Sequence, residues 1–261
     1  MSTISRLAKP VLLGGSKIVW KYLTFFKRIS FHLDRYDPQL IHDKTKKLFH
    51  YVLDKLDVEL IIEGQENIPN ETFYLYSNHN GTMDPVLLTT CFDKPIAFAA
   101  KKEISKYPFI ATILKDQGGL FLDRDDLRQQ LKVMKLIEEE LIKGERNFCI
   151  FPEGTRNKDA NRLLNDFHNG SLRPAMKTKT PILPVIILGS DRILKGNPKY
   201  NKYPVHIKFL KPLYYDDYKN IKGEELNKIL KEEMESSIAF DLRKKDHQKM
   251  MELNKDKYHR L

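Results

Sequence analysis

The chain has 261 residues, enough for one domain of ordinary size with an added segment. Hydrophobic residues make up 41% and aromatics 10%, which supplies a core and excludes a disordered chain; 12 Gly, 13 Pro and 2 Cys exclude collagen-like, low-complexity and disulfide-stapled classes. The net charge is +10, and Arg6, Lys9, Lys17, Lys21, Lys27 and Arg28 all precede the first acid, Asp34, so an anionic partner is implied: lipid headgroups, nucleic acid, or an acidic substrate or carrier.

At the start, Lys9-Pro10 interrupts the apolar run, and Lys17 and Lys21 follow too soon for a signal peptide. Wound as a helix, residues 17–33 place Lys17, Lys21, Thr24 and Arg28 on one narrow face. Ile18, Val19, Tyr22, Leu23, Phe25, Phe26 and Ile29 cover most of the rest, with Trp20 and Lys27 at the borders. A wide apolar face, a cationic stripe and a tryptophan suit a helix lying in a membrane interface. The same pattern suits a helix packed on its own domain with lysines reaching outward. The lack of acids favours the membrane surface, and opposed cations and aromatics disfavour nucleic acid. The longest uncharged apolar stretch, residues 180–190, is too short to span a bilayer.

A helix is predicted over 38–56, with Asp37 as N-cap before Pro38. Then the period changes. Strands are predicted at 58–62, 72–76, 96–99, 120–122, 148–151, 182–188 and 205–210. Helices fall between them at 84–90, where Asp84 precedes Pro85, at 102–114, where Pro108 intrudes, at 125–143 and at 224–242. In the helix over 125–143, Leu127, Leu131, Met134, Ile137 and Leu141 share a face. The alternation implies an α/β domain with a largely parallel or mixed sheet flanked by helices, preceded by the amphipathic segment. The expected division is 1–57 for the basic helical segment, 58–245 for the α/β domain, and 246–261 for a charged tail. Cys91 and Cys149 sit in apolar surroundings without metal spacing, which reads as two reduced core thiols in a reducing compartment.

In such a sheet, ligands gather beyond strand ends. Asn78-His79-Asn80-Gly81-Thr82-Met83-Asp84 follows one strand and opens a helix. A carboxylate five residues after a histidine can fix its tautomer across the turn and leave the other ring nitrogen as a general base. The spacing alone is common, and His32 and Asp37 repeat it without that context. Phe151-Pro152-Glu153-Gly154-Thr155-Arg156 follows another strand and offers a glycine for close approach, a hydroxyl and a two-pronged anion contact. Gly118 to Arg124 ends a third strand in Asp123-Arg124, and Lys101-Lys102 ends a fourth. Taken singly, these are ordinary surface loops and ion pairs. Together they are one acid–base pair and several cations at four strand ends.

These blocks, in this order, resemble the glycerolipid acyltransferase family, in particular its bacterial lysophosphatidic acid acyltransferases. Asn-His-x-x-x-x-Asp matches Asn78, His79 and Asp84. Gly-x-x-Phe-x-x-Arg matches Gly118, Phe121 and Arg124, with Asp123 before the arginine. Phe-Pro-Glu-Gly-Thr-Arg matches Phe151 to Arg156 unchanged, and a Pro-flanked apolar strand matches Pro181 to Val185. The resemblance spans about residues 60 to 210 and implies transfer of a fatty acyl group from a thioester, acyl-CoA or acyl carrier protein, to the sn-2 hydroxyl of lysophosphatidic acid. It implies His79 as base supported by Asp84. Arg124, Arg156, Gly154 and Thr155 would hold the acceptor phosphate, with Lys101 or alternatively Lys102 as a further contact, and Glu153 would orient either its loop or the acceptor glycerol. No cofactor or metal is expected, and the protein is expected at the cytoplasmic face of an anionic membrane. A sibling activity on glycerol 3-phosphate or another lysolipid is the alternative within the class. A membrane- or nucleic-acid-binding protein without chemistry is the alternative outside it.

Overall fold

The computed structural model describes residues 15–255, apart from residue 17, residues 160–161 and residues 196–201. Arg6, Lys9 and Lys17 of the basic start, and residues 256–261 of the expected tail, lie outside the described residues. Each strand predicted from the sequence forms: β1 (Val58–Glu63), β2 (Tyr74–Ser77), β3 (Ile96–Lys101), β4 (Leu120–Leu122), β5 (Asn147–Ile150), β6 (Ile182–Leu188) and β7 (Tyr203–Phe209). They join in one sheet in the order β1-β7-β6-β2-β5-β3-β4. Neighbours run parallel except β6 and β7.

Parallel neighbours need crossovers, and helices supply them on both faces. One face packs Leu75, Phe98, Cys149, Leu183 and Val205 against α1 (Pro38–Lys55) and α2 (Asp84–Cys91). The other packs Tyr74, Tyr76, Phe148 and Ile182 against α4 (Leu127–Lys143), α5 (Arg173–Thr178) and α8 (Gly223–Ser237). Further helices among the described residues are α3 (Pro108–Asp116), α6 (Asp191–Lys195), α7 (Tyr215–Tyr218) and α9 (Arg243–Leu253). Adjacent strand residues face opposite layers, and both layers are apolar, so β6 reads as an unbroken apolar run.

Several boundaries differ from the sequence reading for identifiable reasons. The helix expected over 102–114 divides into a 3-10 stretch, Lys102–Lys106, and α3, because Pro108 lacks an N–H and is best placed in a first helical turn. Helix α4 begins at Leu127, with the Asp126 carboxylate accepting from the N–H groups of Arg128 and Gln129. Its buried residues are Val133, Ile137 and Leu141, whereas Leu127 and Leu131 are exposed. The expected division at 57/58 crosses one core, since Leu53 and Leu56 cluster with Phe73 and Phe209. The expected tail boundary falls inside α9, which Asp246 holds through both its oxygens to Arg192 at 2.7 Å. Both cysteines are free, and Cys149 is buried while Cys91 is partly exposed.

In the N-terminal segment, a π-helical stretch, Tyr22–Phe26, continues into a single α-turn, Lys27–Ile29. Phe26 and Ile29 are buried, and the Tyr22 ring meets Phe109 on α3 at a tilt, 4.7 Å between ring centroids. Val19, Trp20 (64% exposed) and Leu23 remain outside. The wide apolar face is thus divided, part covering the chain's own domain and part left open. Among the described residues no helix is long and apolar enough to cross a membrane.

At the end of α3, Asp116 is 3% exposed, and neither carboxylate oxygen has a hydrogen-bond partner among the described residues. Burial alone raises its pKa from 3.8 to about 7. Between about pH 4 and 7 the native chain therefore holds a proton that the unfolded chain releases, and stability falls as pH rises through that window. Asp116→Asn removes this cost, so the variant should match the parent near pH 4 and melt several degrees higher at pH 8. Equal melting temperatures at both pH values would contradict the assignment.

Candidate active site

Strands β2, β5, β3 and β4 lie side by side and run parallel, so their C-terminal ends share one sheet edge. β6 lies on the other side of β2, also parallel, and brings residues 189–191 to the same edge. Just beyond β2, the Asn78 side chain exchanges two hydrogen bonds with the backbone of Ile187, donating at 2.9 Å and accepting at 2.7 Å. A side chain here replaces a strand rung, and the main chain leaves the sheet at His79.

The His79 Nδ1 lies 2.8 Å from Oδ2 of Asp84. A carboxylate in this position only accepts, so Nδ1 carries the proton, and in the neutral ring Nε2 is the nitrogen with the free lone pair. The imidazole stacks on Phe151 at 4.3 Å between centroids, and its side chain is 19% exposed. Asp84 is completely buried. Besides His79, its carboxylate accepts from the N–H groups of Asn80 and Gly81, at 2.8 and 2.9 Å, and from Ser190 Oγ. Asp84 therefore does not cap α2, although an Asp-Pro pair is a usual helix start. It occupies the first helical position, Met83 is the N-cap residue, and the carboxylate turns back into the loop. Gly81 must be glycine, because a Cβ there would stand 2.7 Å from the Ser190 backbone.

The loop after β5 is tied to the His79 loop at three points. Glu153 Oε1 accepts from His79 N at 2.7 Å, Asn157 N donates to His79 O at 2.9 Å, and Arg156 Nη1 donates to Thr82 Oγ1 at 2.6 Å. Glu153 is 3% exposed, and its second oxygen accepts from Asn165 N at 2.8 Å. Burial pushes its carboxyl above the ordinary range against the pull of these two backbone donors and of His79. Both oxygens are thus engaged by the chain itself, which favours the loop-orienting alternative over a contact with glycerol. Gly154 has φ +62°, and Thr155 and Arg156 are exposed.

Lys101 and Arg124 reach the same edge farther along, two and three strands from β2, about 10 and 14 Å at the usual strand spacing. Lys101 Nζ pairs with Glu103 at 3.1 Å, and Lys102 pairs with Asp123 at 2.5 Å. Arg124 makes no hydrogen bond among the described residues through its side chain. The hydrogen-bonded centre therefore comprises His79, Asp84, Glu153 and Arg156, with Gly154 and Thr155 in the same loop. Lys101 and Arg124 flank it without touching it. Ser190 was missed in the sequence: a Gly-Ser-Asp turn ending a strand is a usable signal, but its value depends on β6 lying beside β2. Cys149 lies inside β5, where burial pushes its thiol well above the ordinary range and removes it as a nucleophile.

An imidazole with its proton held on Nδ1 by a buried carboxylate can take a proton at Nε2, and the adjoining loop and strand ends can receive an anion. Comparisons with known proteins bear on this arrangement. Residues 59–188 match the family model described as Acyltransferase. The 1-acyl-sn-glycerol-3-phosphate acyltransferase of Saccharomyces cerevisiae is 25% identical over 198 residues, 74% of this chain and 65% of that protein. The probable enzyme of the same name from Mycoplasma pneumoniae is 29% identical over 177 residues, 66% of this chain and 65% of that protein. The Borreliella burgdorferi protein of that name is 32% identical over 149 residues, 55% and 57% of the two chains. The chain thus spans less than two thirds of the length of these curated relatives. The crystal structure of the 1-acyl-sn-glycerophosphate (LPA) acyltransferase PlsC from Thermotoga maritima superposes with a TM-score of 0.70 at 25% identity, covering 91% of this chain and 96% of that one.

Proposed function

Because the chain belongs to the glycerolipid acyltransferase family, we propose that it transfers a fatty acyl group from an acyl thioester to the sn-2 hydroxyl of lysophosphatidic acid, giving phosphatidic acid. One observation carries the chemistry: the 2.8 Å hydrogen bond from His79 Nδ1 to buried Asp84, beside a loop built to receive an anion. The acceptor hydroxyl gives its proton to Nε2 of His79 as its oxygen attacks the thioester carbonyl. The tetrahedral intermediate then expels the thiolate, which takes the proton back from the imidazolium. No acyl-enzyme is required. An alcohol is scarcely ionised at neutral pH, so a placed base contributes about 10²–10⁴-fold. Asp84 holds the tautomer and stabilises the imidazolium. Gly154, Thr155 and Arg156 receive the acceptor phosphate, with Arg124 and Lys101 closing on it from the neighbouring strand ends. Holding the phosphate holds the hydroxyl near His79.

The test is formation of phosphatidic acid from lysophosphatidic acid by the purified chain, with acyl-CoA and acyl carrier protein as alternative donors. Transfer with either supports the reading and identifies the donor. No product from lysophosphatidic acid, with product from glycerol 3-phosphate, would reassign the acceptor. Ser190→Ala deprives Asp84 of one of four donors, so kcat should fall about 3- to 10-fold with KM for the acceptor nearly unchanged. An unchanged kcat would remove Ser190 from the catalytic centre.

The basic start and the exposed Val19, Trp20 and Leu23 would hold the chain at the surface of an anionic bilayer, at its cytoplasmic face. Deleting residues 1–33 would also remove Phe26 and Ile29 from the core, so Trp20→Ala with Leu23→Ala is the cleaner variant. It should weaken binding to anionic vesicles about tenfold or more, and salt should weaken the parent. Equal sedimentation of parent and variant with vesicles would place the contact elsewhere.

A further inference from the structure

His168 lies beyond every motif so far discussed. Resting on the reading above, we propose that His168 is an anion-binding residue of the acceptor site, its Nε2 donating to the same phosphate that Gly154, Thr155 and Arg156 receive.

The placement of the ring is the first ground. A Cβ on Gly154 would stand 2.6 Å from Nε2 of His168 and 2.8 Å from its Cδ2. The nitrogen-bearing edge of the imidazole therefore fills the space above the glycine of the anion-receiving loop. Gly154 is favoured by its φ of +62°, and a side chain there would also have to displace the ring.

The anchorage of the residue is the second ground. His168 is exposed, yet its backbone is held from both sides. Its N–H donates to Pro152 O at 2.9 Å. Its carbonyl accepts from Ser171 N at 3.0 Å, Ser171 Oγ at 2.6 Å and Asn227 Nδ2 at 3.2 Å. Ser171 and Asn227 are buried, and both bond the Tyr76 hydroxyl. Tyr76 lies on β2, three residues before His79. The strand that delivers His79 thus also determines where the exposed imidazole stands. Exposed loop side chains do not ordinarily need such anchorage, but those that meet a ligand from a rigid scaffold do.

The chemistry is the third ground. The ring makes no hydrogen bond among the described residues, so its donor is free. Arg156 has one guanidinium nitrogen engaged by Thr82, and Lys101 pairs with Glu103. An imidazole N–H on the near side of Gly154 supplies a further charge-assisted bond to the phosphate.

His168→Ala should raise KM for lysophosphatidic acid about 5- to 20-fold with kcat within about twofold. His168→Gln, which keeps a side-chain N–H donor, should restore KM to within about threefold. An unchanged KM in the alanine variant overturns the proposal. So does a loss of kcat and melting temperature while KM holds, which would make the ring a spacer over Gly154. If the parent acylates no lysophosphatidic acid, the proposed function fails separately. His168 is then judged by imidazole NMR with inorganic phosphate, its signal identified by loss in the alanine variant. A phosphate-dependent shift supports the site, and its absence overturns it.

Discussion

His79→Ala should lower acyl transfer about 10³-fold or more, with the melting temperature almost unchanged. The ring contributes modest packing against Phe151, and Asp84 keeps three other donors when it is lost, so the fold has little reason to yield. The whole cost then falls on proton transfer from the acceptor hydroxyl. Asp84→Asn should cost activity on a similar scale for a different reason. A side-chain amide has one accepting oxygen where the carboxylate has two, so at least the Ser190 Oγ bond to Oδ1 loses its acceptor, and the neutral amide no longer stabilises the imidazolium. That variant should also be less stable, because Asp84 is fully buried. The check is steady-state transfer alongside thermal unfolding for both variants. Activity within tenfold of the parent in His79→Ala would place the proton acceptor elsewhere.

Glu153→Ala should damage both stability and rate. It leaves the N–H groups of His79 and Asn165 without their carboxylate acceptor, and each unsatisfied buried donor costs about 1–3 kcal/mol. It also frees the main chain at His79, so kcat should fall about 10²-fold or more through misplacement of the base. Glu153→Gln tests this further, since the amide nitrogen must face one of the two backbone N–H groups and only one acceptor remains. If Glu153 instead bound the acceptor glycerol, both variants would raise KM and leave the melting temperature alone. Thermal unfolding and the split between kcat and KM therefore separate the two roles.

Local signals carried much of the architecture. Seven strands were legible because β-branched and aromatic runs occur between turn residues, and α1 because Asp37-Pro38 starts a helix in a standard way. The long helical run from Gly223 through Leu253 was legible only to Leu242, because the later turns are charged and bury only Met250. Short helices such as α5 and α6 left no periodic trace, as five or six residues are too few for one. On α4, periodicity identified one shared face but not how far along it burial extends, and Leu127 and Leu131 on that face are exposed.

What the sequence by itself determined is the inventory: an α/β chain, a basic amphipathic start, and His79, Asp84, Arg124 and the Phe151 to Arg156 block at strand ends. These are set by local spacing and residue type, and survive reading one segment at a time. Only the tertiary structure decided which inventory members meet. The strand order puts β5 and β6 on either side of β2, so Glu153 and Ser190 close on His79 and Asp84 from opposite sides, while Lys101 and Arg124 stand two and three strands away. Strand order follows from how two helical layers cover both faces of the sheet, a long-range packing outcome that no short stretch of sequence encodes.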